Sequence, residues 1–168
     1  MKTTSNGRHH SILTQLFHNR ISWIGHFNND PNIKKAGQVF ACPDKAEVDR
    51  IEVFSDMVQH PGTMQMTLHR FDDKNNTWGP IIAAAERDIQ LNENARWISF
   101  DIPPVSLEKN QNYGFILSSA DAFVALGEAA WPNNTDHHCG QEWTADDHES
   151  GGRFYDHFSL AYKLDARD

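Results

Sequence analysis

The sequence predicts an all-β chain, an antiparallel two-sheet β-sandwich. Three observations predict it: five separate runs alternate apolar and polar residues at period two, turn residues punctuate them closely, and no stretch carries the apolar stripe of a long amphipathic helix. A parallel sheet would need crossovers of a dozen or more residues, roughly the length of a helix, and the gaps are too short for that. Eight or more strands in one domain of 168 residues point to jelly-roll connectivity.

The runs come in order. Residues 47–54 (EVDRIEVF) place Ile51 and Val53 on one face with Asp49, and Arg50, Glu52 and Phe54 on the other. Residues 64–71 (MQMTLHRF) turn Met64, Met66 and Leu68 inward, and 96–102 (RWISFDI) turn Ile98, Phe100 and Ile102 inward. Residues 113–119 (YGFILSS) offer Tyr113, Phe115 and Leu117; residues 158–164 (FSLAYKL) offer Phe158, Leu160, Tyr162 and Leu164. The expected shared core is Ile51, Val53, Met66, Leu68, Ile98, Phe100, Phe115, Leu117, Leu160 and Tyr162. Turns are expected at 60–62, 72–80, 103–104, 109–112 and 132–134. Two segments invite a helical reading. Residues 11–17 (SILTQLF) are read as a short helix; residues 81–87 (IIAAAER) are read as a strand, because Pro80 and the neighbouring strands outweigh the alanines.

Composition narrows function. Fifteen Lys+Arg against 23 Asp+Glu give a net charge of −8, which opposes attraction to nucleic acid and anionic lipid. No apolar run has the ~20 residues of a membrane helix, and the opening MKTTSNGRHHSILTQLF lacks a signal peptide's apolar region, so a soluble chain is expected. Cys42 and Cys139 permit one disulfide at most; two buried reduced thiols are the plainer reading, since free cysteine is among the most buried residue types.

The succession 37–40 (GQVF), 51–54 (IEVF), 66–71 (MTLHRF), 97–101 (WISFD), 112–118 (NYGFILS), Gly140-Gln141 and 158–163 (FSLAYK) is similar to a bacterial family of jelly-roll modules, the galactose-binding-like or carbohydrate-binding-module-like domains. Such modules are commonly appended to secreted glycan-active enzymes or cell-surface proteins, so the resemblance implies carbohydrate binding and an extracellular or cell-surface setting. It covers residues 36–164. Residues 1–35 are accordingly read as an N-terminal extension on or before a sandwich domain at 36–168. The sequence departs from the pattern at 133–152, which carries Asp136, His137, His138, Cys139, Asp146, Asp147, His148 and Glu149.

Sugar recognition needs flat aromatic surface for C–H faces and planar polar groups for hydroxyls. Trp78, Trp131 and Trp143 lie in or beside turns, with Asn133, Asn134, His137 and Gln141 as polar partners, and these seven residues are the candidate ligand site. Each tryptophan has a rival reading, more common for turn tryptophans, in which it plugs the open end of the core. Trp97, opposite Ile98 and Phe100, is expected to pack beneath the N-terminal segment. The acids around 146–149 favour a neutral glycan. The 136–149 stretch has metal-ligand residue types but no standard zinc spacing; no cofactor is expected, structural calcium is weighed ahead of zinc, and a solvated acidic loop is the plainer reading. Asp73, Asn75 and Thr77 begin like a calcium loop but lack its closing Glu, so a plain hairpin is expected. Glu52, Glu86, Glu128 and Glu142 show no pairing on one strand face, and no nucleophile or phosphate-loop motif occurs; a non-catalytic module is therefore preferred to a hydrolase. The alternative is a structural or protein-interaction sandwich without a small ligand.

Overall fold

In a computed structural model of the chain, described for residues 9–27, 32–131, 140–146 and 151–167, thirteen strands and no helix are present among the described residues. In chain order they are β1 (His9–Gln15), β2 (Arg20–His26), β3 (Ile33–Ala41), β4 (Ala46–His60), β5 (Gly62–Asp72), β6 (Thr77–Ile89), β7 (Arg96–Leu107), β8 (Asn112–Ser118), β9 (Phe123–Ala130), β10 (Gln141–Ala145), β11 (Arg153–Tyr155), β12 (Phe158–Leu160) and β13 (Tyr162–Arg167). Every pairing among them is antiparallel.

The pairings are nested. Hairpin β5–β6 is enclosed by β4–β7, then β3–β8, then β2–β9. Successive pairs fall alternately in one sheet and the other. The second sheet holds β5, β6, β8, β3, β10 and β11; the first holds β4, β7, β9, β2, β12, β13 and β1, and among the described residues strand pairing joins the two where Gly25 and His26 pair with Lys34 and Ile33. This is the rolled two-sheet sandwich expected, not closed into a barrel.

All ten residues expected to share the core do so, each at most 1% exposed in a single apolar cluster. Alternation is the cause: on β5, Met64, Met66 and Leu68 face in, while Gln65 is exposed and Thr67 partly so. Residues 81–87 lie within strand β6 as read.

Two local readings are corrected. Residues 11–17 are not a helix; 9–15 form β1, paired to β13, with a register shift between Ser11 and Leu13. Seven residues cannot stabilise a helix by propensity alone, and the free edge of β13 offers a full ladder of hydrogen bonds. Pro103 and Pro104 do not end a strand either. They sit within β7, which pairs with β4 alone and is unpaired between Asp101 and Val105, opposite the bulge at Asp49. Asp49 is buried there and meets His9 Nε2 at 2.7 Å and the guanidinium of Arg167.

Residues 9–26, read as part of an extension, supply two strands of the first sheet. Phe54 on its outer face stacks on His18 at 4.4 Å and meets Trp97 edge-on at 5.4 Å, and Lys163 lies over the Trp97 ring at 4.3 Å. Cys42 is a buried free thiol whose Sγ donates to the Asp44 carbonyl at 3.0 Å; burial pushes its pKa up. Cys139 lies outside the described residues.

Candidate functional site

Three of the seven sequence-predicted site residues converge. Trp78, on β6, lies across the outer face of the second sheet, over Gly37 of β3 and Gly114 of β8, where any side chain would collide with its ring. A Cβ on Gly114 would stand 2.6 Å from Trp78 Cζ3. Trp143 meets this ring edge-on at 5.5 Å, Phe154 stacks on it at 6.3 Å, and His69 and Phe71 approach its other sides. Gln141 Nε2 donates to Asn76 Oδ1 at 3.2 Å, tying β10 to the β5–β6 turn. That turn is the plain hairpin expected, closed by Asp72 Oδ1 accepting from the Lys74 and Asn75 amides, which with the Asn75 side chain hold the Asp72 carboxyl below its ordinary range.

The cluster is a covered one. Trp143 is only 7% exposed, and its Nε1 donates to the Gly151 carbonyl at 3.0 Å, so the 151–152 backbone caps it. It therefore packs as a sheet-face aromatic and offers no open ring. Trp131 does not join the other two; its ring lies 5.2 Å from Phe17 and its amide donates to the His157 carbonyl. Asn133, Asn134 and His137 lie outside the described residues, as do most of the candidate calcium or zinc ligands of 136–149. Among the described residues, no group of three or more His, Cys, Asp or Glu is arranged to hold a metal.

An open aromatic surface exists elsewhere, on the outer face of the first sheet. β2 (RISWIGH) turns Ile24 into the core, which leaves Trp23 on the opposite face. Phe123 of β9 stacks on Trp23 with centroids 4.5 Å apart and planes 11° from parallel, and Phe27, 44% exposed, leans on Phe123 at 5.4 Å. Gly25 makes the arrangement possible: it has φ +101°, and a Cβ there would strike the Ala122 carbonyl. The three rings line a surface hollow of about 330 Å³ whose polar members are Asn32, Lys34 and Gln59. Exposed Met57 and Ile21 add apolar surface from the flanking strands.

A second hollow of about 330 Å³ opens between the sheets, lined by Arg20, Glu128, Thr144, Asp146, Tyr155 and Phe158 among others, and it shares Trp23 and Lys34 with the first. Glu128 follows Val124 and Leu126 on the inner side of β9; Arg20, its register partner on β2, reaches it with Nε at 3.4 Å while lying over the Phe158 ring at 4.5 Å. Glu142, alternating with Trp143 on β10, points into the interior against Glu128 and is fully buried. Neither Glu142 oxygen meets a described N–H donor. Burial, and then the facing Glu128, pushes its pKa up to about 10, so at neutral pH Glu142 is a neutral acid that donates its proton to Glu128. Nearby, Gln38 accepts from the Leu160 amide at 2.9 Å, fastening one sheet to the other.

Sequence reasoning passed over both hollows. Glu128 and Glu142 meet from different strands, so single-strand spacing could not show the pair. They touch, whereas glycoside hydrolysis needs carboxyls about 5 to 9.5 Å apart around a sugar. Glu52, another acid considered, is raised by its own burial and by Asp165, across the β4–β13 ladder.

No protein-family model matches the chain, and no curated protein matches its sequence. Among solved structures, the chain is similar to the crystal structure of the cysteine protease and lectin-like domains of Cwp84, a surface layer associated protein of Clostridium difficile, with TM-score 0.51 and 12% identity over 80% of this chain and 32% of that one. It is also similar to the clostridial cysteine protease Cwp84 after propeptide cleavage, with TM-score 0.50 and 11% identity over 99% of this chain and 41% of that one. The chain thus spans under half the length of either, and the likeness is one of fold.

Proposed function

We propose that this sandwich is a non-catalytic carbohydrate-binding module and that the sugar lies on the Trp23–Phe123–Phe27 surface. The observation that carries the reading is the partly exposed stacked pair of rings, with exposed Phe27 against it, beside Asn32, Gln59 and Lys34, which joins an apolar platform to planar and charged hydrogen-bonding groups. The likeness in fold to a structure that includes a lectin-like domain supports it. A cell-surface setting is part of the same proposal. The site is shallow, and each hydrogen bond to a solvated hydroxyl nets only ~0.5–1.5 kcal/mol, so affinity weaker than micromolar is expected.

The test is affinity electrophoresis in xylan, laminarin, galactan and polygalacturonate gels, together with a glycan array. Retardation in at least one, lost in both Phe27→Ala and Phe123→Ala while thermal melting stays cooperative, is the expected result. Phe27 is the safer of the two variants because it is exposed. Failure of every glycan to bind the parent protein overturns the reading in favour of a structural or protein-interaction sandwich. Binding retained in full by both variants moves the site away from this face.

A further inference from the structure

We infer that the glycan taken by this module is acidic, with a carboxylate seated at Lys34 where the aromatic surface runs into the inter-sheet hollow. The inference rests on the carbohydrate-binding reading above and adds the class of sugar. Lys34 and Trp23 line both hollows, so the aromatic surface and the inter-sheet hollow adjoin at these two residues. Lys35, its neighbour on β3, and Arg20 line the same inter-sheet hollow. The acids that line it are Glu128 and Asp146, and Glu128 is already held by Arg20.

Among the described residues, three cations and two anions therefore line the inter-sheet hollow, in a chain whose net charge is −8. Neither lysine is engaged in an ion pair among the described residues. An acidic protein that concentrates unspent positive charge beside an aromatic platform is built to attract an anionic group and to stack the ring that bears it. The earlier expectation of a neutral sugar rested on Asp146, Asp147 and Glu149; of these, Asp146 alone is described, and it shares the hollow with all three cations.

The test uses the full chain and two matched ladders, oligogalacturonates and neutral galacto-oligosaccharides of two to six units, titrated calorimetrically at low and high salt. The expected result is tighter binding of the oligogalacturonates, weakened by salt, and lowered about tenfold by Lys34→Gln, the scale of a hydrogen bond to a charged group. Phe27→Ala should weaken both ladders. Preference for the neutral ladder, or oligogalacturonate binding untouched by Lys34→Gln and by salt, overturns the inference and leaves the carbohydrate-binding reading standing. Absence of binding by both ladders, with every gel and array also negative, removes both together. Lys34 is exposed and its strand pairing uses backbone atoms only, so the variant keeps its fold.

Discussion

Replacing Glu142 with glutamine should change how stability depends on pH. In the folded chain Glu142 keeps its proton to about pH 10, because burial and Glu128 both penalise its charge, whereas in the unfolded chain it ionises near its ordinary value of 4.5. Below pH 4.5 both states are protonated and the group contributes no slope. Above it the folded state holds the extra proton, so rising pH favours unfolding by up to ~1.4 kcal/mol per unit. Between pH 5 and pH 8 the accumulated loss is about 2 to 4 kcal/mol, a large share of a total stability of ~5–15 kcal/mol. Glutamine has the same shape, offers an N–H to Glu128 and does not titrate, so Glu142→Gln removes this loss. The assay is urea unfolding of both proteins at half-unit steps from pH 5 to 8, read as the difference in unfolding free energy. Contributions from the rest of the chain are common to both proteins and drop out of the difference. The expected difference widens in the variant's favour as pH rises. A difference flat within about 0.5 kcal/mol would refute the reasoning, since a normally titrating carboxyl has no proton to keep.

Two stability predictions accompany the two binding tests given above. Phe100→Ala should cost ~3–5 kcal/mol by urea unfolding, because the ring is 1% exposed and paired opposite Ile51 at the centre of the β4–β7 ladder; a loss under about 1 kcal/mol would show the core face misassigned. Gly114→Ala should cost ~1–3 kcal/mol and shift the tryptophan emission, since its new methyl must displace the Trp78 ring; an unshifted spectrum with unchanged stability counts against Trp78 lying across β8.

The fold was legible because period two is a local property. Ile51 and Val53, or Met66 and Leu68, announce their shared face without reference to any other strand. The helix read into residues 11–17 failed for the opposite reason: nothing local to SILTQLF tells that β13, some 150 residues away, has an open edge for it. The surroundings of the candidate tryptophans were hidden in the same way. Trp143 carried the right chemistry but sits inside a strand, against the Trp78 ring and beneath the 151–152 backbone. Trp131 adjoins the predicted turn yet pairs with Phe17 at the other end of the sequence. The usable platform joins Trp23 to Phe123, a hundred residues apart. One local signal was available: RISWIGH is apolar on both faces, and a strand with Ile24 in the core still has Ile21 and Trp23 to account for. An apolar outer face needs either a cover or a ligand.

The nesting of the strand pairs sets an order of assembly. Closing a loop costs more entropy the longer the loop is, so the β5–β6 hairpin is the cheapest pair to form and β2–β9, which spans the other three nested pairs, is the dearest of those four, exceeded by β1–β13. The aromatic surface is built on the widest of the four nested pairs. Competence to bind should therefore arrive late in refolding, after most of the interior is already dry, and leave early when the chain begins to open. Recovery of ligand-dependent fluorescence in a stopped-flow refolding experiment, lagging behind far-UV ellipticity, would make the module a reporter of its own completion; simultaneous recovery would mean that the roll closes in a single step.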